Sequence, residues 1–298
     1  MPKIELEIFS PVHQLQHKLF DGKGLRVFIK RDDLIHPLIS GNKWRKLKYP
    51  LIQARGDDKN HLVTFGGAFS NHLLATAAAA AKFGFKATGF VRGEEVENDT
   101  LFLCRLHGMR LIFTDRETYR DKPALFQKYF GNDEDAFFID EGGASALAAK
   151  GCCELINELP QTYDHIFCAC GTGTTAAGVI NGINQSQLKT IFHAVPVFKN
   201  GDFIRQEINK YLNEKADFEL HTAYHFGGYG KTTAELIDFV KTFVAETGIL
   251  IEPVHTGKML YAIFNLAGAG YFMPGSEILA IHSGGIWGLL GMRDKFNR

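Results

Sequence analysis

One short segment, "SGNKWRKLKY" (40–49), carries Lys43, Arg45, Lys46 and Lys48. At about 100° per residue on a helix, Lys43 and Lys46 share one face and Arg45 and Lys48 another. Lys43 follows Gly41-Asn42 at the expected helix start, close to backbone donors and suited to a place beside an anion. An amine buried near other cations is depressed in pKa and can then attack a carbonyl carbon. The competing reading is a solvated basic face with all four cations in water.

Five further stretches place polar groups where chemistry needs them. "GTGTT" (171–175) follows an apolar run and precedes a helical one, so its backbone N–H groups converge at a helix N-terminus, where an anion is stabilised. Thr172, Thr174 and Thr175 add hydroxyl donors. No Gly-Lys-Ser/Thr follows, and Gly178 comes too late for a dinucleotide fingerprint, so an anion cradle and an unliganded tight turn both stand. "GGAFSNH" (66–72) sets Ser70, Asn71 and His72 at the start of an Ala-rich helix; an N-cap accounts for one of them and less well for three in succession. "HSGG" (282–285) closes an apolar strand with Ser283 and two glycines, either a turn or a backbone approaching something flat. "GGYGKTT" (227–233) places Tyr229 between glycines, and "EPVHTGKML" (252–260) places His255 and Thr256 before a helix. An exposed turn aromatic and an ordinary cap are their bland alternatives.

The elements that must position these groups alternate. Apolar runs at 61–65, 85–91, 109–114, 135–139, 165–170, 190–197, 218–222 and 277–283 read as strands with helical patterns between them. Such alternation predicts an α/β protein with mostly parallel sheets covered by helices, that is, two three-layer domains. The spacing suggests a small inserted domain over 46–145 and a larger one built from 1–45 and 146–298, with the break at "DEGGASALAAKG". The polar stretch 199–219 reads as a solvated helix.

The bulk numbers narrow the class. The 298 residues are 45% hydrophobic, with 33 Lys+Arg against 33 Asp+Glu, so the chain affords a large core and offers no net charge to attract nucleic acid or a membrane surface. The five cysteines include no C-x-x-C pair, which argues against a zinc knuckle or a disulfide framework, and no metal is expected. "MPKIELEIFSPV" mixes charges with apolar residues unlike a signal peptide, and the apolar run 73–81 is too short to span a bilayer, so a soluble cytoplasmic protein is expected.

Taken together and in order, "RDDL…SGNKWRKLKY", "TFGGAFSNHLLATAAAAAKFG", "CGTGTTAAG", "GGYGKTT", "EPVHTGKM" and "IHSGG" resemble the 1-aminocyclopropane-1-carboxylate (ACC) deaminase / D-cysteine desulfhydrase family, over roughly residues 31–291. The resemblance implies the tryptophan synthase β-subunit-like fold (fold type II), with pyridoxal 5'-phosphate (PLP) in the cleft between two domains, a small amino acid as substrate and a homodimer. It implies Lys43 as the Schiff-base lysine and later the base at the substrate carbon, and Lys46 and Gly171, Thr172, Gly173, Thr174 and Thr175 as phosphate ligands. Asn71 falls at the cofactor's ring oxygen, Ser70, Asn71 and His72 at the substrate carboxylate, and Tyr229 at the substrate side. Thr256 or Ser283 falls near the pyridine nitrogen. Arg45 and Lys48 are left as solvent or structural charges.

Two positions depart from the family. Tyrosine is common where this chain has His255, and the ACC-opening branch has a carboxylate where it has Thr256. ACC has no α-hydrogen and asks for a separately placed group, whereas β-elimination from a D-amino acid needs α-proton removal and a leaving group. A D-cysteine desulfhydrase-like lyase is therefore expected, with His255 as a proton donor or a packing residue. ACC deamination to 2-oxobutanoate and ammonia is the alternative, and a non-catalytic PLP- or phosphate-ligand-binding protein is the reading from another class. A nucleotide-dependent oxidoreductase lacks its fingerprint.

Overall fold

The computed structural model describes residues 2–297. Its strands, in chain order, are β1 (Val12–Leu15), β2 (Arg26–Lys30), β3 (His61–Gly67), β4 (Lys86–Arg92), β5 (Arg110–Thr114), β6 (Ala136–Ile139), β7 (His165–Cys170), β8 (Ile191–Pro196), β9 (Glu219–Leu220) and β10 (Glu277–Ile281). They form two sheets, a six-stranded one in the order β1-β2-β10-β7-β8-β9 and a four-stranded one in the order β5-β4-β3-β6. Every pair is parallel except β1–β2. The eight expected strands all form, and the opening residues supply β1 and β2 to the larger sheet beside β10.

Parallel strands need crossover helices, and the helices account for the burial of both sheets. The helix Asn71–Phe83 packs on β3 and β4 and buries ten of its residues, which its alanine run permits because small side chains let backbone approach backbone. It starts at Ser70, whose hydroxyl accepts from Leu73 N, and stops at Gly84 in the left-handed conformation. Seven of the fifteen residues of the helix Asn42–Gly56 are buried, with Trp44, Leu47 and Leu51 at 1% exposure or less. Its entry requires glycine: Gly41 has φ +59°, and a Cβ there would stand 1.9 Å from the Ser283 carbonyl oxygen. The end of β10 and the Lys43 helix are thereby locked together.

The stretch 199–219 is not one solvated helix. A helix spans only Ile204–Asn209, with Ile204 and Ile208 fully buried against the helix Thr174–Gln185. This apolar i,i+4 pair anchors the segment despite its polar composition. Of the two places open to Arg45, solvent or structural, the structure takes the second: it is 1% exposed. Its guanidinium donates to both carboxylate oxygens of Asp32, at 2.6 and 2.7 Å, and to both of Glu158, at 2.8 Å each. Lys30 joins through Glu158 at 3.0 Å, and Ser10 through Asp32 at 2.6 Å. Lys48 is half-buried and donates to Glu154. All five cysteines are free thiols. No described helix is long and apolar enough to cross a membrane.

Candidate active site

The candidate groups gather where parallel strands end. The loop after β3 carries Ser70, the loop after β7 begins with Gly171, the loop after β8 carries Phe198, and β10 runs out at Ser283. Open α/β sheets present their ligand-binding crevices at these carboxyl ends. One hydrogen bond crosses between the two sheets' segments here, and another ties the helix Asn42–Gly56 to the segment after β7. Asn71 Nδ2 donates to the Gly285 carbonyl at 3.2 Å, and Asn42 Nδ2 donates to Thr175 Oγ1 at 3.0 Å.

Lys43 keeps some accessible surface, yet protein crowds its amine. Burial, and then the charge of Lys46, push it down to about 7. Lys46, one turn along and 2% exposed, donates to the Gly142 carbonyl and to Thr172 Oγ1, both at 3.0 Å. Thr172 Oγ1 lies 3.3 Å from Thr174 Oγ1. Gly173 adopts the left-handed conformation and opens the helix Thr174–Gln185, so the first N–H groups of that helix face the same cradle. The result is two crowded ammonium groups, hydroxyls and a helix N-terminus, with neither ammonium held by a carboxylate among the described residues. That donor set fits a phosphate, which brings the charge the cluster lacks.

His72 faces this cluster from the other sheet. Thr64 Oγ1 donates to the Ile139 carbonyl, so at 2.7 Å it accepts from His72 Nε2–H. Nδ1 is then a bare acceptor, buried and without a partner. Burial, followed by the charges of Lys43 and Lys46, holds the ring well below its ordinary range and therefore neutral. Ser70 serves as the helix cap, and Asn71 braces the Gly285 turn. Three polar residues in succession thus have three separate partners.

On the opposite side, Tyr229 and His255 meet edge to face with ring centroids 5.8 Å apart. Tyr229 stacks on Phe198 at 5.3 Å. The residue is 51% exposed overall, yet burial around its hydroxyl, then the charges of Glu252 and Glu141, raise it above the ordinary tyrosine value. His255 Nε2 points toward the cradle, 3.7 Å from where a Cβ on Gly171 would stand, and its Nδ1 lies 3.6 Å from Glu252 Oε1. Thr256 is fully buried, and its hydroxyl is engaged with the backbone and carboxylate of Glu252. The Ser283 carbonyl accepts from Asn42 N at 3.1 Å, while its half-buried side chain stands at the mouth of the same turn.

Two buried charges carry this side of the cleft, and reading the sequence passed over both. Glu252 accepts from the N–H groups of Val254, His255 and Thr256, at 2.6 to 2.8 Å. Burial raises its pKa, but His255 and those N–H groups win and hold the carboxylate below its ordinary value. Lys258, fully buried, donates to carbonyls of the loops around it. The signal available was a charge-on-charge spacing, Glu252 and Lys258 bracketing a helix start, and nothing in that spacing says that both are buried. Among the described residues, no group of three or more His, Cys, Asp or Glu side chains is placed to hold a metal.

Comparison with known proteins agrees with this geometry. A family described as "Pyridoxal-phosphate dependent enzyme" matches residues 6–284. A Pyrococcus horikoshii protein carrying the provisional name 1-aminocyclopropane-1-carboxylate deaminase is 30% identical, covering 99% of this chain and 95% of its own. The mitochondrial bifunctional D-cysteine desulfhydrase/1-aminocyclopropane-1-carboxylate deaminase of Arabidopsis thaliana is 29% identical, over 92% of this chain and 75% of its own. A crystal structure of an ACC deaminase homologue superposes with a TM-score of 0.87 at 29% identity, covering 99% and 95% of the two chains. The chain belongs to the pyridoxal-phosphate dependent enzymes, in the group with ACC deaminases and D-cysteine desulfhydrases, with the fold type II architecture and pyridoxal 5'-phosphate as its cofactor.

Proposed function

We propose that the enzyme is a lyase that eliminates the β-substituent of a small D-amino acid, in the manner of a D-cysteine desulfhydrase, releasing ammonia and a 2-oxo acid. The observation that carries this choice is the orientation of Glu252. Its carboxylate is consumed by three backbone N–H groups and the Thr256 hydroxyl, so no carboxylate at 252–256 is turned toward the cleft. Ring opening of ACC asks for a tyrosine–carboxylate pair there, and this chain offers His255 and Thr256 instead.

Each candidate residue has a place in this reading. Lys46, Gly171, Thr172, Gly173, Thr174 and Thr175 hold the phosphate. Pyridoxal phosphate, when bound, supplies the electron sink for charge left on the substrate's α-carbon. Lys43 would hold the cofactor, and its amine, pushed down to about 7, would take the substrate's α-proton near neutral pH. Ser70, Asn71 and His72 form the end of the cradle that receives the substrate carboxylate, at the start of the helix Asn71–Phe83. Asn71 serves the ring oxygen. Ser283, whose hydroxyl is not spent inside a helix cap, suits the pyridine nitrogen better than Thr256. Tyr229 bounds the substrate side. His255, steadied by Glu252 at 3.6 Å, delivers a proton to the departing β-substituent.

The division into an inserted unit, 46–145, and the remainder belongs to the same proposal, as do a homodimer and a cytoplasmic location. The hydrogen bond from Asn71, in the inserted unit, to the Gly285 carbonyl, in the remainder, supports a site at their junction. Steady-state assays on D-cysteine, D-serine and ACC test the reaction. Pyruvate from D-cysteine is expected at a higher kcat/KM than 2-oxobutanoate from ACC, with His255→Phe lowering kcat and leaving cofactor content intact. Efficient ACC turnover would sink the substrate ordering, and a fully active His255→Phe would leave the histidine as packing.

A further inference from the structure

A fully buried lysine in the first turn of a helix needs a reason. The cation is stripped of water and stands at the positive end of the helix dipole. Lys258 is such a residue, two positions into the helix Thr256–Gly268 and 0% exposed. Its compensation is three main-chain acceptors. Its Nζ donates to the His225 and Gly228 carbonyls at 2.8 Å each, and to the Val197 carbonyl at 3.4 Å. An ammonium has three N–H donors, and all three are used.

These carbonyls are not scattered. Gly228 immediately precedes Tyr229, and Val197 immediately precedes Phe198, the ring on which Tyr229 stacks. His255 lies three residues before Lys258 and meets Tyr229 edge-on. One ammonium therefore sits at the root of three rings that line one side of the cleft. The loop it holds has little structure of its own. Phe226, Gly227, Gly228 and Gly230 all have positive φ, and its internal main-chain bonds are single turns from Gly228 to His225 and from Lys231 to Gly228. Without an external tie, such a segment samples many conformations.

We infer that Lys258 is a positioning residue, which fixes the Tyr229 loop and the Phe198 loop against His255 and so sets the substrate-side wall of the site. The inference rests on the proposed place of Tyr229 at that wall. Lys258 touches neither substrate nor cofactor and acts through the rings it holds.

Hydrogen exchange and kinetics on holoenzyme test this separately. In Lys258→Met, amides 225–231 should exchange about tenfold faster or more, as expected for losing charged hydrogen bonds. The helix Asn42–Gly56 and β7 should be unchanged. On the amino acid that the wild type turns over best, Lys258→Met should lower kcat/KM about tenfold or more. Adding Tyr229→Phe should lower it no further, because both changes act on one group. If Lys258→Met does not fold, Lys258→Arg carries the same test, since a planar guanidinium keeps the charge but cannot direct three donors from one atom. Unchanged exchange at 225–231 overturns the clamp whatever the substrate. Exchange that rises equally throughout the chain makes Lys258 a general stability element and also overturns it, as do additive kinetic losses. Tyr229→Phe with wild-type kinetics counts against the functional reading of the tyrosine, not against the clamp, which the exchange data judge alone.

Discussion

Lys46→Met is the sharpest perturbation of the proposed phosphate cradle. The substitution keeps most of the aliphatic stem and removes the ammonium, which stands 3.0 Å from both the Gly142 carbonyl and Thr172 Oγ1. A hydrogen bond to a charged group contributes about 1.5–3 kcal/mol, and every 1.4 kcal/mol is tenfold, so pyridoxal phosphate should bind about 10- to 150-fold more weakly. A second effect follows from the same charge. After burial, Lys46 is what holds the Lys43 amine down near 7. Its removal lets Lys43 rise, so a smaller fraction is neutral at pH 7, and covalent capture of the cofactor slows there. The deficit in rate should shrink as pH rises, because Lys43 is then deprotonated in both proteins. Titration of apoprotein followed by absorbance at pH 7 and 8.5 reads both quantities. A dissociation constant within twofold of wild type would refute the reasoning, and would leave Lys46 as a tie between Gly142 and Thr172.

Borohydride treatment of holoenzyme should fix the cofactor to the peptide carrying Lys43, and Lys43→Ala should lose the label; a label on another lysine removes Lys43 from the chemistry. Arg45→Met should lower stability by about 3–5 kcal/mol, the cost of leaving the buried Asp32 without its charge partner while Lys30 still answers Glu158, measured by denaturant unfolding of the apoprotein. The remaining prediction concerns acid. His193 lies between His165 and His221, with 2.9 Å hydrogen bonds to each, and stacks on Phe167 at 4.1 Å. Burial, then the two flanking histidines, hold it down at about 2. Below about pH 6.5 the unfolded chain binds a proton there that the folded chain refuses, so stability falls as pH drops from that point. His193→Phe should be less stable at pH 7, since two rings lose partners, but its stability should fall less steeply between pH 6.5 and 4. An unchanged slope would assign the acid sensitivity elsewhere.

The strands were legible because each is a short apolar run closed by a turn, and burial on both faces of a parallel sheet leaves no other pattern. The turn at 171–175 was legible for a related reason: a glycine-rich turn between strand and helix concentrates backbone donors in a few consecutive residues. What escaped was everything decided by long-range pairing. Asp32, in the "RDDL" run, meets Arg45 thirteen residues away, and Glu158 closes the same network from a helix more than a hundred residues on. Nothing local says that Arg45 is buried and Lys48 is not, since both sit one turn apart on a helix with cationic neighbours. The polar stretch 199–219 misled because average polarity hid the two isoleucines that anchor it.

Glu252 shows how such a long-range placement bears on the reaction. A carboxylate beside a pyridine nitrogen keeps it protonated and deepens the electron sink, whereas a hydroxyl does so less. This chain has a buried carboxylate a few residues from the expected place, but its oxygens are occupied at the start of the helix Thr256–Gly268 by Val254, His255 and Thr256. Its negative charge is already matched by the helix end, and His255 Nδ1 lies 3.6 Å away. Turning it toward the ring would break three hydrogen bonds and uncap a buried helix, each bond to the charged group contributing about 1.5–3 kcal/mol. On the proposed reading, the nitrogen is therefore met by the Ser283 hydroxyl. A shallower sink tolerates a reaction in which the leaving group departs as soon as the α-proton is removed, because negative charge never has to accumulate. It disfavours opening a carbon–carbon bond, where no such leaving group drains the charge. The position of Glu252, four residues before Thr256 and closed into the helix cap, thus argues for elimination over ring opening independently of which residue stacks on the ring.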